Sequence, residues 1–232
     1  MPRSARAIVT GGCYHLLNRG NNRATIFPSE RDYGAFFDLI AEAQERHRLE
    51  LFAACLMPNH FHLVARVPVG TAAGRWMHWL LTTHSHRFHQ NRGTTGRVWQ
   101  GRFKAFPIEQ DAHLLAVMRY VERNPLRAGL VARARHWAWG SLAWRFGGDF
   151  HELLSPPPVP LPSEWERFVE AAQTPAELAA IRDCVNRQRP YGSRDWITEA
   201  TATLGLHSSV RRPGRPRKDP SHAKSAQGDM LD

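Results

Sequence analysis

Of all segments of the sequence, residues 57–64, MPNHFHLV, place the strongest constraint on the fold of this chain. Apolar residues alternate on both sides of Pro58-Asn59, a dipeptide typical of tight turns, so residues 49–67 are predicted to form an antiparallel hairpin. Side chains two apart in a strand point to the same face, so His60 and His62 would lie side by side with Phe61 facing the core. Two neutral imidazoles on one face supply half of a site for a divalent metal ion.

Chance also produces such pairs. With 13 histidines in the chain, about 0.7 His-x-His pairs are expected at random, so the motif alone is weak. A second pair, His84 and His86, falls in a predicted helix, where residues i and i+2 lie about 200° apart and cannot share an ion. A structural role for His60 and His62 therefore remains open until other residues support a site.

The distribution of charge indicates a polyanionic partner. Residues 1–150 carry 20 Lys and Arg against 10 Asp and Glu, residues 151–210 carry 5 against 8, and residues 211–232 carry 6 against 3. A basic domain most often binds nucleic acid. The 3 cysteines are too few and too far apart for a disulfide framework. Because the chain has no long apolar run, we expect a cytoplasmic, nucleoid-associated protein without a membrane segment.

Hydrophobic periodicity predicts the element order β-α-β-β-α-β-α. The expected strands are at 13–18, within the hairpin 49–67 and at 98–109, and the expected helices are at 29–46, 71–90 and 111–123. The first six elements are those of an α+β, ferredoxin-like fold, an antiparallel sheet with helices on one face, to which a small helical C-terminal extension is added. We expect one main domain at 1–150, a Pro-rich linker and helical extension at 151–206, and a basic, unstructured tail at 207–232.

The predicted third helix places a tyrosine and an amide together. Its apolar residues recur at helical spacing and would face the sheet, whereas Tyr120 and Asn124, at i and i+4, stack on a different face. Asn124 with His60 and His62 would supply mixed nitrogen and oxygen ligands that suit Mg²⁺ or Mn²⁺. A tyrosine hydroxyl beside such a metal can attack a phosphodiester and form a phosphotyrosine. Taken singly, Tyr120 is better explained as a surface tyrosine, and Asn124 as a helix cap before Pro125, which is predicted to end the helix.

These residues together resemble a known family. HFH within residues 57–64, followed by YVERNPLRAGLV at 120–131, is similar to the REP-associated tyrosine transposases, which belong to the single-tyrosine HUH transposase superfamily. VWQGRF at 98–103 and GRPRK at 214–218 also match that pattern. The segment HWAWGS at 136–141 departs from the family's usual Tyr-x-Trp-Ser-Ser run, and we expect it to be structural.

The resemblance implies a metal-dependent enzyme that nicks and rejoins single-stranded DNA at palindromic hairpin repeats. It implies a 5′-phosphotyrosine intermediate and a free 3′-OH. The implied nucleophile is Tyr120, and the implied ligands of Mg²⁺ or Mn²⁺ are His60, His62 and Asn124. We expect a monomer rather than a homodimer.

Further residues are candidate DNA contacts. Basic side chains near the predicted site could bind phosphates, a tryptophan could stack on an unpaired base, and an arginine of the tail could enter a minor groove or act as an electrostatic tether. These candidates are Arg19, Arg23, Trp99, Arg102, Lys104 and Arg215. The alternative for each is a solvated charge or a core aromatic residue.

Two other functions stay open on the sequence. One is a module that binds DNA or RNA hairpins without cutting them, which would not depend on the histidines. The other is a metal-independent RNA endonuclease, which would need neither Tyr120 nor a metal ion.

Overall fold

A computed structural model describes residues 8–70 and 72–210 of the protein. Its centre is a four-stranded antiparallel sheet in the order β2-β3-β1-β4. The strands are β1 (Cys13–Arg19), β2 (Glu50–Met57), β3 (His60–Arg66) and β4 (Lys104–Ile108). The turn at residues 58 and 59 joins β2 to β3, which confirms the predicted hairpin.

The helices lie in two layers on this sheet. They are α1 (Glu30–Arg46), α2 (Ala72–Arg92), α3 (Ala112–Glu122), α4 (Asn124–Arg127), α5 (Ser141–Arg145), α6 (Trp165–Glu170), α7 (Pro175–Arg187), α8 (Arg194–Thr203) and α9 (His207–Val210). The α+β, ferredoxin-like fold class is therefore confirmed, with α1 and α2 together on one face. Within the described ranges, no helix has both the length and the apolar character needed to cross a membrane.

The first face of the sheet carries the larger core. Phe61 and Leu63 of β3 point to this face and are fully buried against α1 and α2, as are Phe36 and Trp76 of those helices. Each large side chain removed from water contributes about 1.5–3 kcal/mol to stability. The alternation of strand β3 thus fixes which of its residues face α1 and α2, and it turns His60 and His62 the other way.

The opposite face is covered by α3 and the C-terminal extension. Leu114 and Met118 of α3 are buried there together with Trp165 of α6 and Ile181 of α7. The Pro-rich segment before α6 also packs on this core through Val159 and Leu161. Helices α6 and α7 of the extension therefore share one hydrophobic core with the helix that carries Tyr120.

Three predicted boundaries were wrong. The predicted strand at 98–109 is strand only from Lys104, because Gly101 has φ +120° and the side chains of the preceding residues turn into the first core. Pro125 does not end the helical path, since it lies in the first turn of α4, which follows α3 after a single residue. The start of the predicted tail is also ordered, because His207–Val210 forms helix α9.

Residues after the fourth strand supply hydrogen-bond partners to both edges of the sheet. At β2, the Leu56 amide donates to the Trp139 carbonyl oxygen at 2.9 Å and the Ser155 amide donates to the Leu51 oxygen at 2.7 Å. At β4, the Tyr191 amide donates to the Pro107 oxygen at 3.0 Å. The segment at 136–141 is structural, as predicted.

A buried carboxylate joins α3, α5 and α6. Glu122 is 1% exposed. One of its oxygens accepts from the Ser141 hydroxyl at 2.6 Å and from Arg145 Nε at 3.0 Å, and the other accepts from Trp165 Nε1 at 2.6 Å. These contacts fix the C-terminal end of α3 two residues after Tyr120.

Candidate active site

His60 and His62 lie together on the face of the sheet that α3 covers. Their ring centroids are 4.9 Å apart and the rings are nearly perpendicular. Between them, Phe61 points into the opposite core with no exposed surface. The i and i+2 geometry expected for a strand is therefore present, while the second His-x-His pair lies in helix α2.

Helices α3 and α4 bring Tyr120 and Asn124 to the same place. The Tyr120 ring centroid is 6.0 Å from that of His62, and Asn124 Nδ2 is 3.4 Å from His60 Nε2. Tyr120 is 7% exposed and Asn124 is 8% exposed. The structure thus brings together the four residues that the sequence singled out, although they come from two segments far apart in the chain.

Arg127 is part of this group and was missed from the sequence. Its guanidinium carbon lies 4.2 Å from the centre of the Tyr120 ring, and its Nη2 donates to Asn124 Oδ1 at 2.7 Å. Burial lowers the pKa of Arg127, and Tyr120 acts in the opposite direction. The signal was its spacing, since residues 120, 124 and 127 share a face once the helical path continues past Pro125.

His15 of β1 is a second residue that the sequence analysis missed. It is fully buried, its Nε2 lies 2.8 Å from His62 Nδ1, and the two rings are stacked with centroids 4.9 Å apart. The available signal was a histidine at the centre of the largely buried strand Cys13–Arg19. On the other histidine, His60 Nδ1 lies 2.6 Å from Asn59 Oδ1.

The three imidazoles are neutral at physiological pH. Burial lowers the pKa of His15 to about 3 and that of His60 to about 4, with further lowering at His60 from Arg19 and Arg127. Burial also holds the pKa of His62 well below its usual value. The neighbouring His15 and His60 lower that pKa further, with smaller effects than burial. Neutral imidazoles have lone pairs available for a metal, and the fixed arginine charges favour an anionic ligand beside them.

The donor set fits a divalent cation with one adjustment. Because the Nδ1 atoms of His60 and His62 have partners at 2.6 and 2.8 Å, a metal would bind their Nε2 atoms, although His60 Nε2 now lies 3.4 Å from Asn124 Nδ2. Asn124 presents Nδ2 to His60 and Oδ1 to Arg127. Its amide must rotate for the oxygen to become a ligand, and an amide oxygen has two lone pairs, so it can keep one hydrogen bond as well.

A second group of possible metal ligands lies at the start of α3. His113 Nδ1 is 2.8 Å from Asp111 Oδ1 and 3.6 Å from Glu109 Oε2. Both carboxylates also have structural partners, because Asp111 caps α3 at the His113 amide and Glu109 accepts from the Ser193 amide at 2.6 Å. This group is separate from the histidines of β3.

The predicted DNA contacts occupy different environments. Arg19 is exposed at the end of β1, directly opposite His60. Burial lowers the pKa of Lys104, and the charge of Arg19 lowers it further. Arg23 is exposed in the loop after β1, and its carbonyl oxygen accepts from Asn59. Arg102 is exposed in the loop before β4.

Trp99 and Arg215 differ from the other candidates. Trp99 is only 6% exposed and contacts Phe61 and His84, so it is a core aromatic residue and has no free face for a base. Arg215 lies outside the described residues.

Comparison with known proteins identifies the family. The sequence model of the IS200-like transposase family matches residues 8–124, more than half of the chain. The chain belongs to the IS200-like transposase family. It is therefore a transposase, a DNA-binding enzyme, and the matched range spans positions 60, 62, 120 and 124.

Two relatives of this transposase carry the more specific name that the sequence suggested. A protein of Haemophilus influenzae named as a REP-associated tyrosine transposase is 25% identical over 155 residues, which cover 61% of this chain and 85% of that protein. A REP-associated tyrosine transposase whose structure was solved bound to a REP hairpin has a TM-score of 0.54 and 20% identity, covering 75% of this chain and 93% of that one. The resemblance is confirmed, and the solved structure supports the fold.

Proposed function

We propose that this transposase is a metal-dependent single-stranded DNA endonuclease and strand transferase that nicks and rejoins DNA at palindromic hairpin repeats. The observation that carries the proposal is the placement of the Tyr120 ring beside two neutral histidines whose Nδ1 atoms have partners and whose Nε2 atoms could bind a metal once the Asn124 amide rotates. A structural tyrosine would not need this arrangement, whereas a tyrosine nucleophile does.

Tyr120 and Arg127 carry out the covalent step in this proposal. The Tyr120 oxygen attacks the scissile phosphorus, the bond from phosphorus to the 3′ oxygen breaks, and the leaving oxygen takes up a proton to give a free 3′-OH. The Tyr120 hydroxyl loses its proton in this step, and the Arg127 cation over its ring stabilises the phenolate that forms. Attack by a 3′-OH on the phosphotyrosine reverses the reaction and rejoins the strand.

A divalent ion, Mg²⁺ or Mn²⁺, would be held by His60 and His62, with Asn124 after rotation of its amide. When bound, it would supply positive charge at the scissile phosphate and polarise its oxygen. Loss of either histidine is expected to stop cleavage for this reason.

The proposed substrate rests on charge and on the solved relative. The excess of basic residues in 1–150 favours a polyanion, and Arg19 and Lys104 lie close to the histidine pair. A nucleophile that is 93% buried on its helix favours a strand that can enter the site unpaired over a rigid duplex. The relative bound to a REP hairpin supports a hairpin as the folded part of that substrate.

The test is a cleavage assay with Tyr120→Phe. An oligonucleotide hairpin with single-stranded flanks, labelled at its 3′ end and incubated with Mn²⁺, should give a denaturant-resistant adduct with the wild-type protein and none with Tyr120→Phe. Hairpin binding should be nearly unchanged, since the substitution removes one oxygen and keeps the ring. Tyr33→Phe is the matched control, because Tyr33 is equally buried but lies in the other core.

Three results would contradict the proposal. An adduct that maps to Tyr14, Tyr33 or Tyr191 would place the nucleophile elsewhere. Specific hairpin binding without any adduct would favour the non-cleaving alternative. Cleavage of the matching RNA that persists in EDTA and in Tyr120→Phe would favour the metal-independent endonuclease.

A further inference from the structure

The buried contact between His15 and His62 has no role in the scheme above. His15 Nε2 and His62 Nδ1 are 2.8 Å apart, and both side chains are at least 97% buried. The Nδ1 atom of His15 has no hydrogen-bond partner in the part of the chain that the structure describes. The pair is therefore held by a single hydrogen bond, and its surroundings do not decide which ring donates.

The direction of this hydrogen bond decides whether His62 can bind a metal. A neutral imidazole carries one proton, so one of its nitrogens donates and the other accepts. If His62 donates from Nδ1 to His15 Nε2, then His62 Nε2 has a free lone pair for a metal. If His15 donates instead, the proton of His62 is on Nε2, and that atom cannot be a ligand.

We propose that His15 is a positioning residue, which accepts the Nδ1 proton of His62 and thereby fixes the ring and tautomer that present Nε2 to the metal. Ligand histidines commonly have such a partner on their second nitrogen. His60 has an equivalent one in Asn59, whose Oδ1 lies 2.6 Å from His60 Nδ1. This inference rests on the metal site of the proposed function.

His15 is not placed as a ligand itself. Its Nε2 is directed at His62, and its ring packs nearly perpendicular to that of Phe106, at 4.9 Å between centroids. Tyr120 is near, at 6.3 Å, but His15 reaches the proposed metal only through His62. Its loss should therefore weaken metal binding without removing a ligand.

The experiment measures metal affinity without DNA. Free Mn²⁺ is titrated into the full-length protein and followed by electron paramagnetic resonance, with thermal unfolding recorded for each variant. His15→Phe keeps an aromatic ring but removes the acceptor, and it should weaken Mn²⁺ binding about 10–100-fold. His15→Gln keeps an oxygen acceptor at a similar reach, and it should restore most of that affinity.

His84→Phe is the matched control. His84 is a buried histidine on the other face of the sheet, it packs against Phe36 and Trp99, and its Nδ1 also has no partner in the described ranges. The same substitution there should leave Mn²⁺ affinity unchanged. An equal loss in both variants would mean that the effect is one of core packing, and it would overturn the inference.

The remaining outcomes separate this inference from the proposed function. A wild-type protein that binds no Mn²⁺, or that binds it unchanged in His60→Ala, would refute the metal site and this inference together. Wild-type binding that His60→Ala abolishes but His15→Phe leaves intact would overturn the inference alone. Should His15→Phe fail to fold, the nitrogen NMR spectrum of the wild-type protein with Zn²⁺ decides, because a proton on His62 Nε2 would exclude the proposed tautomer.

Discussion

Glu122→Gln should destabilise this transposase far more than loss of an exposed carboxylate. Glu122 receives hydrogen bonds from three donors, and the side chain of its ionic partner Arg145 is only 14% exposed. Glutamine has one oxygen and a donor amide in place of two oxygens. If the glutamine oxygen keeps the hydrogen bonds from Ser141 and Arg145, its NH₂ group faces the Trp165 N–H, which is also a donor. If the oxygen keeps the hydrogen bond from Trp165, the NH₂ group faces the other two donors.

The magnitude follows from the buried charge that is left. Removing one partner of a buried ion pair costs about 3–5 kcal/mol. We expect the low end, about 3 kcal/mol, because Arg145 also donates to the Phe52 carbonyl oxygen and Gln retains one acceptor. For a chain of this size, 1 kcal/mol corresponds to about 2–4 °C, so the midpoint of thermal unfolding should fall by about 6–12 °C.

The assay is urea and thermal unfolding of Glu122→Gln beside Glu166→Gln. Glu166 also pairs with arginines, but those side chains are 49% and 41% exposed, so its loss should cost less than about 1 kcal/mol. The folded Glu122→Gln protein should still form the DNA adduct well below its unfolding temperature. If the unfolding midpoint falls no more than in the control, the hydrogen bonds of Glu122 do not stabilise the packing of α3.

Other expected outcomes concern metal, catalysis and DNA. Asn124→Asp should bind Mn²⁺ at least as tightly as wild type in a titration, since a carboxylate can accept from Arg127 and bind the metal at the same time. Asn124→Ala should reduce cleavage less than His60→Ala does. Arg127→Lys should lower the single-turnover cleavage rate by about 10²-fold, the scale for loss of one transition-state donor, while hairpin affinity in a filter-binding assay changes less. The logarithm of the hairpin affinity should fall linearly with the logarithm of the salt concentration. An affinity that does not change with salt would contradict phosphate contacts. Removal of residues 211–232, which carry 6 Lys and Arg against 3 Asp and Glu, should weaken hairpin binding without lowering the unfolding midpoint.

Local periodicity was enough to predict the residues of the site that lie on one strand or one helical face. His60 and His62 follow from alternation, and Tyr120 and Asn124 follow from helical spacing, because these relations depend only on backbone geometry. The convergence of the two segments was not a local property and came from the family resemblance. The structure brings them together because α3 packs on the face to which the histidines point.

The residues that were missed depend on relations that a single segment does not contain. His15 contacts His62 across two paired strands, and the register of that pairing is set by the whole sheet. Arg127 was missed because Pro125 was taken to end the helix, although proline is well tolerated in a first turn. Trp99 was a candidate for base stacking, with a core aromatic residue as the alternative, and the alternative is what the structure shows, since a positive φ at Gly101 frees this segment to enter the core.

The hydrogen bonds at the rims of the sheet have a consequence for how this transposase can be shortened. The portion that matches the family ends at residue 124, whereas the partners of β2 at residues 139 and 155, and the partner of β4 at Tyr191, come later in the chain. A fragment that stopped at 124 would keep every strand but present two rows of unsatisfied amides and carbonyls, which are templates for strand addition from another molecule. Residues 139–191 thus occupy hydrogen-bonding positions at both edges of the sheet, and we expect a fragment that lacks them to aggregate more readily than the full chain.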